Sequence, residues 1–351
     1  MKKTTTSSTA TNQPTIYISH PADYSGDAWH VAAAMVLRPE VYAVVTAQSK
    51  DKDSKDSKES TKFLEFYSAI GATSQVCDRR QTASPIPDGP KGMTSAEKHR
   101  WPVKQHALRA SSSVKNSEVG TVYTSTSVII KAVMDNGIGH VNYTLRDRFR
   151  GRKVIPNVRS KVDELMMRKD QYVIVNMRSA EYNRQHNINE HIYKAIKQSM
   201  GGIKIIPFGN VGGCHWLQGV DPEGARNAID LYEMGDRTMQ TSAYFWALLA
   251  EAIDAKKSGG GDDSGCLAVI GGRSGSLDLP AFMGMRTICW DVHDKKDVEY
   301  ARLHLAAQFM SVIGFACSPG AVESEPHSWV FKHLRSIDTR IGLTGDVVIG
   351  G

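Results

Sequence analysis

With 351 residues, 41% of them hydrophobic and 23% charged, the chain is long enough for two ordinary domains and too apolar to be intrinsically disordered throughout. No run of about 18 consecutive apolar residues occurs, which argues against a transmembrane helix, and five scattered cysteines lack the paired spacing of a disulfide framework or a zinc site. The net charge of +6, from 43 Lys and Arg against 37 Asp and Glu, tilts the surface mildly toward anionic partners such as phosphates or RNA.

Taken in chain order, residues 1–14 form a polar tail whose two lysines are followed by no apolar stretch. A disordered tail is expected there rather than a secretory leader, and the chain is expected to be cytoplasmic and reduced. The stretch 15–37 predicts a strand, a turn at Asp23 to Gly26 and a helix; 40–47 predicts a second strand. The run SKDKDSKDSKESTK (49–62), of alternating charge, predicts a solvated loop. A helix follows over 63–72, loop chemistry over 84–92, and a basic helix over 97–115 interrupted near Pro102. Residues 119–149 predict a strand, a short helix and a loop.

The second half alternates more cleanly. A strand is expected over 171–179, a strand then loop over 203–213, and between them a helix over 187–202 capped by Asn187 or Asn189. An amphipathic helix spans 237–257, and LAVIGGRSGSLDLPAFMGMRTICWD (267–291) predicts strand, glycine-rich turn, helix and strand. Further helices are expected over 298–314 and 327–337. Strands alternating with helices imply parallel sheets covered on both faces. The expected architecture is α/β: two Rossmann-like domains, 15–160 and 161–325, facing a cleft, followed by a C-terminal helix and tail over 326–351. In such sheets ligands lie beyond the carboxyl ends of the strands.

That rule selects the candidates. In GGRSGSLD, Gly272 and Gly275 allow close backbone approach, Arg273 can grip phosphate, and Ser274 and Ser276 offer hydroxyls at a helix N-terminus. Asp278 is either a substrate contact or a group that settles the helix dipole. At the end of the 171–176 strand, MRSAEYNRQHN supplies Arg178 and two candidate general bases, Glu181 and His186. Asp23, in the first strand-to-helix turn, and Asp291, closing the strand after GMRTIC, are further substrate-binding candidates. In NVGGCHW, Cys214 beside His215 is a weak nucleophile candidate, since neighbouring side chains usually point apart. Two basic groups, 98–109 and RDRFRGRK with Arg146, Arg148, Arg150, Arg152 and Lys153, suit RNA phosphates. No metal-ligating pattern, P-loop or GxGxxG stands out, so no metal or cofactor is expected.

Over about 170–295 the chain resembles the nucleotide-binding half of GT-B-type, fucosyltransferase-like glycosyltransferases, through VNMRSAEYN and VIGGRSGSLDLPAFMGM. As a whole, from VNMRSAEYNRQHN through GGRSGSLDLPAFMG to EYARLHLAAQFMS, it resembles fungal arginine-containing cyclodipeptide synthases. The latter resemblance implies a GT-B-like scaffold that joins amino acids from aminoacyl-tRNA into a cyclic dipeptide containing arginine. Glu181 or His186 would then deprotonate the amine, and amides of Gly272–Ser276 would hold the oxyanion. Asp23, Asp278, Asp291 or Glu299 would hold the guanidinium, and Arg146–Lys153 the tRNA. The former implies a nucleotide-sugar donor whose diphosphate meets Arg178 and Arg273, with Glu181 as base for the acceptor hydroxyl. A binder of RNA or nucleotide without turnover is a third reading. No membrane partner is expected, and the oligomeric state is left open by the sequence.

Overall fold

The computed structural model describes residues 16–21, 28–46, 56–78, 91–92, 122–123, 125–178, 187–200, 203–209, 211–230, 239–259, 265–272, 274–294, 308–317 and 348–350. The tail over 1–14 and the helices expected over 97–115 and 327–337 lie outside the described residues.

Runs rich in valine and isoleucine form the strands, and every described pairing is parallel. The smaller sheet contains β1 (Ile16–Pro21), β2 (Val41–Thr46), β3 (Val76–Asp78) and β4 (Val122–Tyr123), in the order β3-β2-β1-β4. Around it lie α1 (Ala28–Leu37), α2 (Asp56–Ala69) and α3 (Ser125–Asn136). Two helices, α4 (Ile138–Arg150) and α5 (Pro156–Met166), lead to the larger sheet. That sheet holds β5 (Gln171–Met177), β6 (Lys204–Gly209), β7 (Ile229–Asp230), β8 (Gly265–Gly272), β9 (Thr287–Asp294), β10 (Ser311–Cys317) and β11 (Val348–Gly350). Its order is β11-β10-β9-β8-β5-β6-β7, and its helices are α6 (Glu190–Ser199), α7 (Leu217–Val220), α8 (Pro222–Arg226), α9 (Met239–Ser258) and α10 (Gly275–Phe282). From β7 inward and then outward, this is the doubly wound Rossmann-type order. The architecture is two Rossmann-like parallel units.

The two-residue period of a strand sorts the core into two clusters. Tyr172 and Ile174 of β5, Ile206 and Phe208 of β6, Val269 and Cys289 face one side, where α9 and α10 pack. Val173, Val175, Met177, Ala268, Ile270 and Ile288 face the other, against Ile192, Tyr193 and Ile196 of α6. The first cluster does not stop at the larger sheet. It continues through α4 and α5 into α1, α2, α3 and the smaller sheet, taking in Ile18, Val31, Val45, Phe66 and Phe149. Phe66 stands edge-on to Trp29 and to Phe149, with ring centroids 4.9 and 5.3 Å apart. Such pairs add about 0.5–1.5 kcal/mol each beyond burial.

Four local expectations are corrected. Residues 56–62 belong to α2 rather than to a loop, because Phe63, Phe66, Tyr67 and Ile70 bury one face and the preceding Lys- and Glu-containing turns extend it. The loop expected before residue 149 is α4, whose Val141, Leu145 and Phe149 recur every four residues on the buried face. Residues 311–314, expected in a helix, open β10, where SVIGFAC pairs with β9. The chain end, expected as tail, contributes β11 to that same edge.

Candidate functional site

The larger sheet changes direction between β5 and β8. From β5 the chain moves out through β6 and β7; from β8 it moves the opposite way. At such a switch point the loops diverge and leave a crevice beyond the strand ends. Asn176 sits there, the one polar residue in the buried run of β5 and only 4% exposed. Its Nδ2 donates to Ser274 Oγ at 3.3 Å and Ser276 Oγ at 3.2 Å, and the two hydroxyls are 3.0 Å apart.

Two glycines leave space around the end of β5. A Cβ on Gly271 would lie 3.2 Å from Asn176 Cβ, and one on Gly209, where φ is +109°, would lie 3.3 Å from the Met177 carbonyl oxygen. Ser274, not Ser276, is the N-cap residue of α10, and its side chain places no capping bond on the helix. The hydroxyls therefore stand beside the positive end of the helix dipole.

Asp278, in the first turn of α10, points elsewhere. Its Oδ2 is 2.8 Å from His30 Nε2, in the first turn of α1, and both residues are buried. Since α1 follows β1 and α10 follows β8, this pair brings the carboxyl edges of the two sheets to one junction. His30 was not singled out by the sequence; nothing local marks a contact across 248 positions. His20, at the end of β1, is fully buried, with its Nδ1 3.4 Å from the Tyr67 hydroxyl and its ring against Phe63.

The other predicted residues fall into three groups. Arg178 is half-buried and donates to Asn187 Oδ1 at 2.8 Å, while its carbonyl accepts from the Ile188 amide at 3.0 Å; together these tie the end of β5 to the residues just before α6. Gly272 ends β8 and Gly275 opens α10 beside the hydroxyls. Asp291 lies within β9 opposite Gly314. Glu181, His186, Arg273, Asp23 and Glu299 are outside the described residues.

The basic group on α4 is largely engaged within the molecule. Arg146 donates from Nε and Nη2 to the Met283 carbonyl at the end of α10, and from Nη1 to Asp254 of α9. Arg148 donates to the Ile70 carbonyl at 3.0 Å, and Arg150 to Glu251 at 3.1 Å. Arg152 and Lys153, just past the helix, are exposed.

Cys214 is buried, which pushes its thiol pKa up, and His215 beside it is exposed, so the pair does not form a nucleophile and base. Asp221 caps α8 through the Gly224 amide. Burial pushes its carboxyl up, but hydrogen bonds from Lys197, Tyr193 and that amide outweigh burial and hold it below the usual carboxylate range. Among the described residues no three His, Cys, Asp or Glu side chains converge on a metal position. Nor is any described helix long and apolar enough to cross a membrane.

No family model matches the chain. No curated protein matches it either. Solved structures to which it is similar include a glycosyl transferase family 9 protein from Veillonella parvula, at 11% identity over 86% of each chain with a TM-score of 0.40. Others are the E. coli ADP-heptose LPS heptosyltransferase II, at 12% identity over 93% of this chain and 99% of that one with a TM-score of 0.39, and Acinetobacter baumannii MurG, at 12% over 93% and 91% with 0.35. Likenesses of this degree assign the chain no substrate and no residue role.

Proposed function

We propose that this chain is a group transferase whose β5/β8 switch point takes the phosphate end of an activated donor, and that the donor is a nucleotide sugar. The observation that carries the reading is the Asn176–Ser274–Ser276 cluster at the head of α10. Proton counting gives it a direction. Asn176 Nδ2 has two hydrogens, one for each serine oxygen, and one serine can donate to the other. One hydroxyl proton is left to point outward, so the cluster offers a donor to a ligand rich in acceptors. The helix N-terminus beside it favours a negative ligand.

The chemistry asked of such a site is modest. The bond between the sugar's anomeric carbon and the diphosphate breaks, and negative charge gathers on the leaving oxygen. The hydroxyl, the helix end and Arg273 would stabilise that charge. An acceptor hydroxyl would attack the anomeric carbon and pass its proton to Glu181.

A second reading keeps aminoacyl-tRNA as donor; the net charge of +6 and the exposed Arg152 and Lys153 favour it. One set of titrations separates the two. Under the first reading, UDP or GDP raises the melting temperature, by an amount equivalent to about 2.7 kcal/mol at a hundredfold excess over Kd. Asn176→Asp abolishes that shift while leaving the apo protein folded, because a carboxylate near a helix N-terminus is tolerated by the fold yet repels a phosphate. Absence of any shift with millimolar nucleotide would sink the first reading. Steeply salt-dependent tRNA binding, with an arginine-containing cyclic dipeptide in expressing cells, would establish the second.

A further inference from the structure

The His30–Asp278 pair takes no part in the transfer step, yet its construction is costly. Both members are more than nine-tenths buried, and a polar group taken out of water is unfavourable unless hydrogen-bonded. Two apolar side chains of similar volume would fill the same space at least as well. What the hydrogen-bonded pair adds is direction: it fixes one turn against another.

Beyond the packing of Leu277 and Leu279 in the core, the turn in question has little within its own helix to fix it. Helix α10 has eight residues, with Pro280 inside it. Proline has no amide hydrogen, so the helix loses an internal bond back to its first turn. Ser274 supplies no side-chain cap. A helix this short is marginal by itself. Two side-chain contacts reach its first turn from other elements: Asn176 from β5, and His30 from the first unit through Asp278.

We infer that His30 and Asp278 are positioning residues that lock the ligand-facing turn of α10 to the first unit, so that ordering of the donor site and seating of the two units are one event. The donor half of this statement rests on the function proposed above; the lock itself does not. Linkage makes the coupling reciprocal: a ligand that orders the turn tightens the junction, and a loosened junction weakens the ligand.

Amide hydrogen exchange on the full chain tests it without knowledge of the substrate. In His30→Ala, amides 276–279 exchange roughly tenfold faster or more, as expected when a buried hydrogen bond is lost locally. Those of Val173 to Val175, in the centre of β5, keep the wild-type rate. His30→Gln, whose Nε2 carries hydrogen to nearly the place of the imidazole Nε2, stays within a few-fold of wild type. If 276–279 exchange as slowly in His30→Ala as in wild type, the lock does not exist. If they and Val173 to Val175 speed up by the same factor, the pair merely supports the fold as a whole, and the inference is overturned. Should His30→Ala not fold, Asp278→Leu, which keeps nearly the volume and removes the acceptor, carries the same comparison. UDP is then added to the folded variants: about a tenfold rise in Kd in His30→Ala, reversed in His30→Gln, supports the coupling. An unchanged Kd overturns it. Failure of the wild type to bind UDP would instead overturn the donor reading, and the exchange data would still decide the lock.

Discussion

At the scale of single residues, the candidate site depends on side chains that are missing as much as on those present. Asn176 packs directly against Gly271, where a Cβ would come within 3.2 Å of its own, while Gly209 clears the neighbouring Met177 carbonyl. The two glycines do different work. Gly271 provides only space, whereas Gly209 also holds a backbone conformation, φ +109°, that other L-residues rarely adopt. Gly209→Ala should therefore cost about 1–3 kcal/mol, the range for a non-glycine residue held in a sparsely populated region. Urea unfolding would show this as a lower midpoint with an unchanged slope. A midpoint equal to wild type would mean that the end of β6 can relax away from Met177, and the tight packing around Asn176 would then be no requirement of the fold.

Elements were legible where one periodicity dominated and illegible where two signals competed. The strand, glycine-rich turn, helix and strand over 267–291 appear as β8, α10 and β9 because apolar runs and a glycine-serine break agree there. Helix α4 went unread because its charged positions outnumber the apolar stripe of Val141, Leu145 and Phe149. Strands β7 and β11, of two and three residues, are too short to carry a pattern and exist only through their neighbours. At the site, the serines and glycines of the turn could be found from their chemistry, but Asn176 looked like the ragged end of a strand and His30 like an interior helix residue. What made them matter is contact across about a hundred positions in one case and 248 in the other. The basic group on α4 shows the reverse: its charge suggests an outside partner, and three of its arginines bond to other parts of the same chain. Arg146 grips the carbonyl at the end of α10 with two nitrogens, a geometry that lysine cannot reproduce. Arg146→Lys should lower stability by about 1–2 kcal/mol, read as a fall in melting temperature. Paired Arg152→Ala and Lys153→Ala should leave the melting temperature alone and, under the tRNA reading, reduce RNA affinity and flatten its salt dependence. A stable Arg146→Lys protein with weakened RNA binding would move that arginine from the scaffold to the partner surface.

At the scale of the whole molecule, two sheets need not mean two independently folding bodies. The larger apolar cluster passes from Val31 and Phe66 beside the smaller sheet, through Phe149 at the end of α4, to Trp246 and Phe282 beside the larger one. Each of these side chains is almost wholly buried, and burying a large apolar side chain is worth about 1.5–3 kcal/mol. Pulling the units apart would expose many of them at once, so partial unfolding gains little chain entropy for the apolar surface it uncovers. That balance favours a single cooperative transition. Calorimetry should show one peak, with the calorimetric and van't Hoff enthalpies in agreement. Phe149→Ala sharpens the test because its ring packs at the seam, against Trp29 and Phe66. With cooperative units, the substitution shifts the whole peak downward by the equivalent of about 3–5 kcal/mol. With independent units it would leave one peak in place and displace the other. A split endotherm in the wild type would show that the shared cluster is contact without coupling, and the junction of His30 and Asp278 would then have to act alone in seating one sheet edge against the other.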